Sequence, residues 1–86
     1  MGIAASLQAE GRWDEAIEAY GLLIARYPDS ARVPEAAFNQ GCCWRDAGRP
    51  AEARKAFRQV YQLYQQSPYA RLAREEEVTL EYLSPE

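Results

Sequence analysis

Residues 11–30, GRWDEAIEAYGLLIARYPDS, can be laid on residues 48–67, GRPAEARKAFRQVYQLYQQS, without a gap. At this offset of 37 residues Gly11 falls on Gly48, Arg12 on Arg49, Glu15 on Glu52 and Ala16 on Ala53. Ala19 falls on Ala56, Tyr27 on Tyr64 and Ser30 on Ser67. Working outward at the same offset, Ala36 matches Ala73, and Leu7, Tyr20 and Leu23 meet Trp44, Phe57 and Val60 as conservative replacements. Matches at one fixed offset along the chain mean that it is built from copies of one unit.

Each unit reads as two helices. From Trp13 to Tyr27, apolar residues stand at Trp13, Ala16, Ile17, Tyr20, Leu23, Ile24 and Tyr27, in steps of three and four that trace one face of a helix. Glu15 early and Arg26 late suit the helix dipole, and Pro28 forces the preceding residue out of the helical region. Asp29 and Ser30 are good helix starters, and Pro34 is tolerated in a first turn. A helix over about 32–47 follows, with Ala36, Ala37, Gly41 and Trp44 inward, and Gly48 ends it. Pro50 opens the next, to about residue 65, with Ala53, Phe57, Val60, Tyr61 and Tyr64 inward. Ser67-Pro68 introduces a last helix over about 69–83. Met1 to Glu10 supplies only the end of a first helix, over about 2–10. The reading is one all-α domain, 1–86, of about five helices with the first truncated. Such units cannot bury their apolar faces alone, and stacking covers them. Ala16, Gly41 and Ala53 let helix axes approach closely, and Tyr20, Trp44 and Phe57 fill the space beside them.

Gly41, Trp44, Gly48, Ala53 and Phe57 in one unit, and Gly11, Trp13, Ala16, Tyr20 and Pro28 in the one before, stand at a small–large–small–aromatic spacing closed by proline. In this the chain resembles the tetratricopeptide repeat family over essentially its full length. The resemblance implies antiparallel helix–turn–helix repeats stacked as a short right-handed α-solenoid, acting as a scaffold that binds a partner protein. The usual repeat is about 34 residues, and the longer unit here places its extra residues in Tyr27-Pro28-Asp29-Ser30-Ala31-Arg32-Val33. That ending is similar to a bacterial subgroup that includes periplasmic proteins associated with the Tol–Pal system and outer-membrane assembly lipoproteins. It implies a cell-envelope location, with the cytoplasm as the alternative. The second unit lacks the proline, because Gln65 stands where Pro28 stood. The chain begins within a unit and ends in a helix with Glu77 and Glu81 where large apolar residues are expected, so it reads as a piece of a longer array closed by a polar cap.

Composition narrows the function. Of 86 residues 48% are hydrophobic and 27% charged, with net charge −3 and no His. A nucleic-acid partner needs a concentrated basic face, and the Arg residues here are spread among acids. No apolar run approaches the ~20 residues that span a membrane. With no His and only the adjacent Cys42 and Cys43, there is no disulfide framework and no four-ligand zinc set, so no metal, no cofactor and no catalytic site are expected. The two thiols read as small packing residues beside Gly41. The run Glu75-Glu76-Glu77 reads as a solvated first turn.

In such a solenoid the first helix of each unit lines a concave groove. The residues one step off the core stripe are Glu35, Phe38, Asn39, Cys42, Arg45 and Asp46 in the middle unit. Glu75, Thr79 and Tyr82 come from the last helix, and Ala5 and Gln8 from the first. They form a peptide- or helix-binding groove with Phe38 and Tyr82 as anchors, or a solvated face with those two rings half-buried between units. Family members that clamp a terminal carboxylate use paired Lys and Asn, but the lone Lys55 lies on a second helix and does not support a clamp. The alternative to partner binding is homodimer formation through an open end of the array, at Ile3 and Leu7.

Overall fold

The computed structural model describes residues 2–83. Its elements are α1 (Gly2–Ala9), α2 (Trp13–Arg26), α3 (Val33–Asp46), α4 (Pro50–Leu63) and α5 (Pro68–Leu83). Consecutive helices pack on one another, and α3 also meets α5. This is an all-α helical repeat solenoid, and no strand occurs among the described residues.

The turns repeat almost atom for atom. After α1, the Gly11 N–H donates to the Gln8 carbonyl at 3.1 Å and that of Arg12 to Leu7 at 2.9 Å. After α3, Gly48 donates to Arg45 at 3.1 Å and Arg49 to Trp44 at 2.9 Å. Both turns need a residue with positive φ, and Gly11 (79°) and Gly48 (83°) supply it without a Cβ penalty. The Arg49 guanidinium then lies over the Trp44 ring, 5.6 Å from its centroid.

The other turn also recurs, Tyr27–Ser30 matching Tyr64–Ser67. In each, the tyrosine N–H closes on the helix and the serine N–H returns to the tyrosine carbonyl at 3.0 Å. Ser30 and Ser67 both accept the N–H two residues on, at 3.1 Å. Gln65 in place of Pro28 does not change this geometry. Proline is compatible with the turn and is not its cause.

Two apolar clusters fill the space between helices. Ala4, Ala16, Ile17, Tyr20, Ala36 and Cys43 form the first, and Cys42, Ala53, Phe57, Val60, Ala73 and Leu80 the second, with Trp44 packed against both. At Gly41 an added Cβ would stand 2.7 Å from the Phe57 ring. A glycine is required there because the wholly buried ring packs closely against the α3 backbone.

Several expectations are corrected. The helices read as ending at about 10, 27, 47 and 65 end at Ala9, Arg26, Asp46 and Leu63, and the last, read from about 69, begins at Pro68. The capping turns account for this, since they consume the final residues of each periodic run. Tyr27, expected inward, is 59% exposed. Glu77, expected on a solvated turn, is 6% exposed, because α4 lies directly over it and carries the groups that satisfy it.

Candidate functional site

α1 and α3 meet at a tyrosine hydroxyl. Tyr20 reaches from α2 and donates to Gln8 Oε1 at 2.8 Å, and the Asn39 side chain lies beside this hydroxyl. Burial, then the neighbouring Cys43, raises the Tyr20 pKa, so the phenol stays protonated. It can therefore hold the Gln8 amide in a fixed orientation. Glu35 is near enough to act on the same phenol.

α3 and α5 meet at Arg45. Its guanidinium donates to Asp46 Oδ1 at 3.1 Å and to Glu76 Oε1 at 2.8 Å. Burial would lower its pKa, but these carboxylates raise it on balance. Glu76 falls on Asn39 at the 37-residue offset, and that position could have disclosed it. Its neighbour Glu75 is exposed and pairs with Arg71 at 3.6 Å.

The remaining candidates divide. Phe38 is a packing residue. Its ring tilts against Phe57 and Tyr69 with centroids 5.4 and 5.5 Å apart, joining α3, α4 and α5. Cys42, read as groove-lining, is corrected to the core, at 9% exposure within the second cluster. Burial pushes its thiol, and that of Cys43, up to about 11, so both stay protonated and weakly nucleophilic at neutral pH. Thr79 is exposed and returns its hydroxyl to the Glu75 carbonyl at 3.0 Å, while Tyr82 is 83% exposed and stands apart from the Tyr20 and Arg45 clusters. Ile3 is exposed, and Leu7 packs partly into the first cluster.

A second polar assembly was not legible in the sequence. Glu77 Oε2 accepts from Arg58 Nη2 at 2.7 Å and from its Nε at 2.9 Å, and Oε1 accepts from the Tyr61 hydroxyl. Burial alone would raise the Glu77 pKa, but the Tyr61 and Arg58 hydrogen bonds, with Arg54 nearby, hold it below the usual carboxylate range. Arg54 reaches Glu81 at 3.4 Å and leaves its Nε buried without an acceptor. These groups join α4 to α5. They serve cohesion, because the carboxylate is already saturated by its donors.

The family model for the tetratricopeptide repeat matches residues 1–66, and the chain belongs to that family. No curated protein and no solved structure gives a match. Tetratricopeptide repeats generally mediate protein–protein interaction, and the family is typically a non-catalytic scaffold. Among the described residues no helix is long and apolar enough to cross a membrane.

Proposed function

We propose that the face built from α1, α3 and α5 binds a peptide or helix of another protein and performs no covalent chemistry. The observation that carries this reading is the pair of fixed polar contacts Tyr20–Gln8 and Arg45–Glu76, with Asn39 beside the first, in which donors and acceptors from different helices are held before any partner arrives. Preorganised groups spend less ordering entropy on binding. On α3 and α5 the carboxylates of Glu35, Asp46, Glu75 and Glu76 outnumber the guanidiniums of Arg45, Arg71 and Arg74, even before Glu77 and Glu81, which Arg58 and Arg54 of α4 hold, are counted. A partner segment carrying Lys or Arg fits that balance.

Selection from a random peptide library, followed by titration of the enriched peptides against Asn39→Ala and Arg45→Ala, tests the reading. Lys- or Arg-bearing peptides that lose about tenfold or more in affinity on either variant are expected. No enrichment, or binding to both variants as tight as to the parent, would remove it. An envelope location is supported by the Tyr27-Pro28-Asp29-Ser30 ending alone, and fractionation of cells expressing the native protein tests it.

A further inference from the structure

Inside the molecule the cleft between units is lined on α2 by Gly21 and Ile24, on α3 by Gln40, and on α4 by Ala56, Gln59 and Leu63. One repeat earlier, Gln40 falls on Ile3, Gln59 on Leu22 and Tyr64 on Tyr27. Those earlier positions form the outer face of α1 and α2, and no described helix covers them. Ile3 is 76%, Leu22 61% and Tyr27 59% exposed. Two glutamines of the internal cleft have thus become aliphatic where water would favour the reverse. The opposite end differs, since Val78 and Tyr82 on α5 stand among Arg71, Arg74, Glu75 and Glu81.

We infer that this outer face of α1 and α2 is a homodimer interface, covered by the same face of a second copy. The charge pattern of α2 carries the choice of occupant. Glu18, Leu22 and Arg26 follow one another at four-residue steps along one side of the helix. Neither Glu18 nor Arg26 forms an ion pair with a described residue, whereas Glu15 on the neighbouring stripe holds Arg12 at 2.6 Å. Two α2 helices set antiparallel about Leu22 place Glu18 of each copy opposite Arg26 of the other, on both sides of the two-fold axis. Such self-complementarity is what an isologous interface demands. Glu15, which this register brings toward the Asp29 turn of the second copy, keeps Arg12 as its own counter-ion. The face is made of Ile3, Leu22 and Tyr27 and includes none of Gln8, Asn39 and Arg45, so the inference does not rest on the proposed groove.

Sedimentation equilibrium across a wide concentration range tests this on the full chain. The parent is expected to dimerise reversibly, and Leu22→Glu to be a monomer with unchanged helical circular dichroism. Leu63→Glu, an exposed leucine on α4, should dimerise like the parent. Glu18→Arg and Arg26→Glu should each weaken the dimer about tenfold or more, and the double variant Glu18→Arg/Arg26→Glu should restore it. A parent that stays monomeric to about 1 mM would overturn the inference. So would a Leu22→Glu protein that still dimerises, or a double variant no better than the singles.

Discussion

The two junctions where one unit hands over to the next occupy equivalent positions and are built from opposite chemistry. At the α2–α3 junction Ile17, Gly21 and Ile24 face Gln40, whose amide donates to the Ile17 carbonyl at 3.0 Å. One repeat later Ile17 becomes Arg54, Gly21 becomes Arg58, Ile24 becomes Tyr61 and Gln40 becomes Glu77. Gly21 leaves the space through which Gln40 reaches a backbone carbonyl, its would-be Cβ lying 3.3 Å from the Gln40 amide nitrogen. Arg58 fills the equivalent space and meets a carboxylate instead. One backbone arrangement thus accepts a neutral latch or an ionic one, the ionic one satisfying the buried Glu77 carboxylate while leaving Arg54 Nε without an acceptor. Ionic latches respond to pH and neutral ones do not.

The largest effect is expected from exchanging residues between α3 and α5. Gly41 falls on Val78 at the repeat offset. Gly41→Val drives a branched side chain into the Phe57 ring and should cost about 3 kcal/mol in urea unfolding. The reciprocal Val78→Gly, at a position 48% exposed, should cost about 0.5 kcal/mol from helix propensity alone. Similar losses would mean that α5 is packed on both sides, contrary to the asymmetry described.

Removing the latches comes next. Glu77→Gln, which weakens bonds to a charged acceptor, should lower stability by about 1–2 kcal/mol, and Gln40→Ala by about 1 kcal/mol. Equal losses in one molar salt and in low salt for Glu77→Gln would argue against an ionic contribution.

Acid should separate the junctions without mutation. The Glu77 pKa is lower in the folded protein than in the unfolded chain. Its contribution is therefore fully present above the ordinary carboxylate value of about 4.3, and is lost as pH falls through the depressed folded value. Nothing titrates at Gln40. Amide exchange followed from neutral pH into this acid range should show α5 losing protection before α3, after correction for intrinsic rates. Simultaneous loss would show that the ionic latch does not set the stability of α5.

The smallest change is expected from transplanting one junction onto the other. Arg54→Ile/Arg58→Gly/Glu77→Gln rebuilds the second junction in the image of the first. Replacing a buried ionic group by a neutral equivalent is often close to neutral, so unfolding free energy should stay within about 1 kcal/mol while the acid sensitivity of α5 disappears. Collapse of the fold would mean that the two backbones differ more than their turns suggest.

Much of this architecture was legible because its signals are local. The recurrence of Gly11 as Gly48 sets the positive-φ turns, and Tyr27-to-Ser30 recurring as Tyr64-to-Ser67 sets the others, through bonds spanning five residues or fewer. Periodicity from Ala16 to Tyr20 and from Ala53 to Phe57 names the inward stripes. The candidate site was legible only in part. Asn39, Arg45 and Gln8 are singled out by their offset to the core stripe, but the tie of Arg45 to Glu76 is not. Phe38 and Cys42 are one step from that same stripe, yet α4 and α5 enclose them.

The sequence by itself determined the repeat, its turns and the inward face of each helix, since these depend on backbone conformation and on spacing within a single helix. Only the tertiary structure decided that Glu77 is buried, that Cys42 belongs to the core and that Tyr27 faces out. Whether such a position meets water, a guanidinium or an aromatic ring depends on the side chains of a helix distant in sequence. The same position can be Ile3, Gln40 or Glu77, and the neighbour lying across it decides which of them is satisfied.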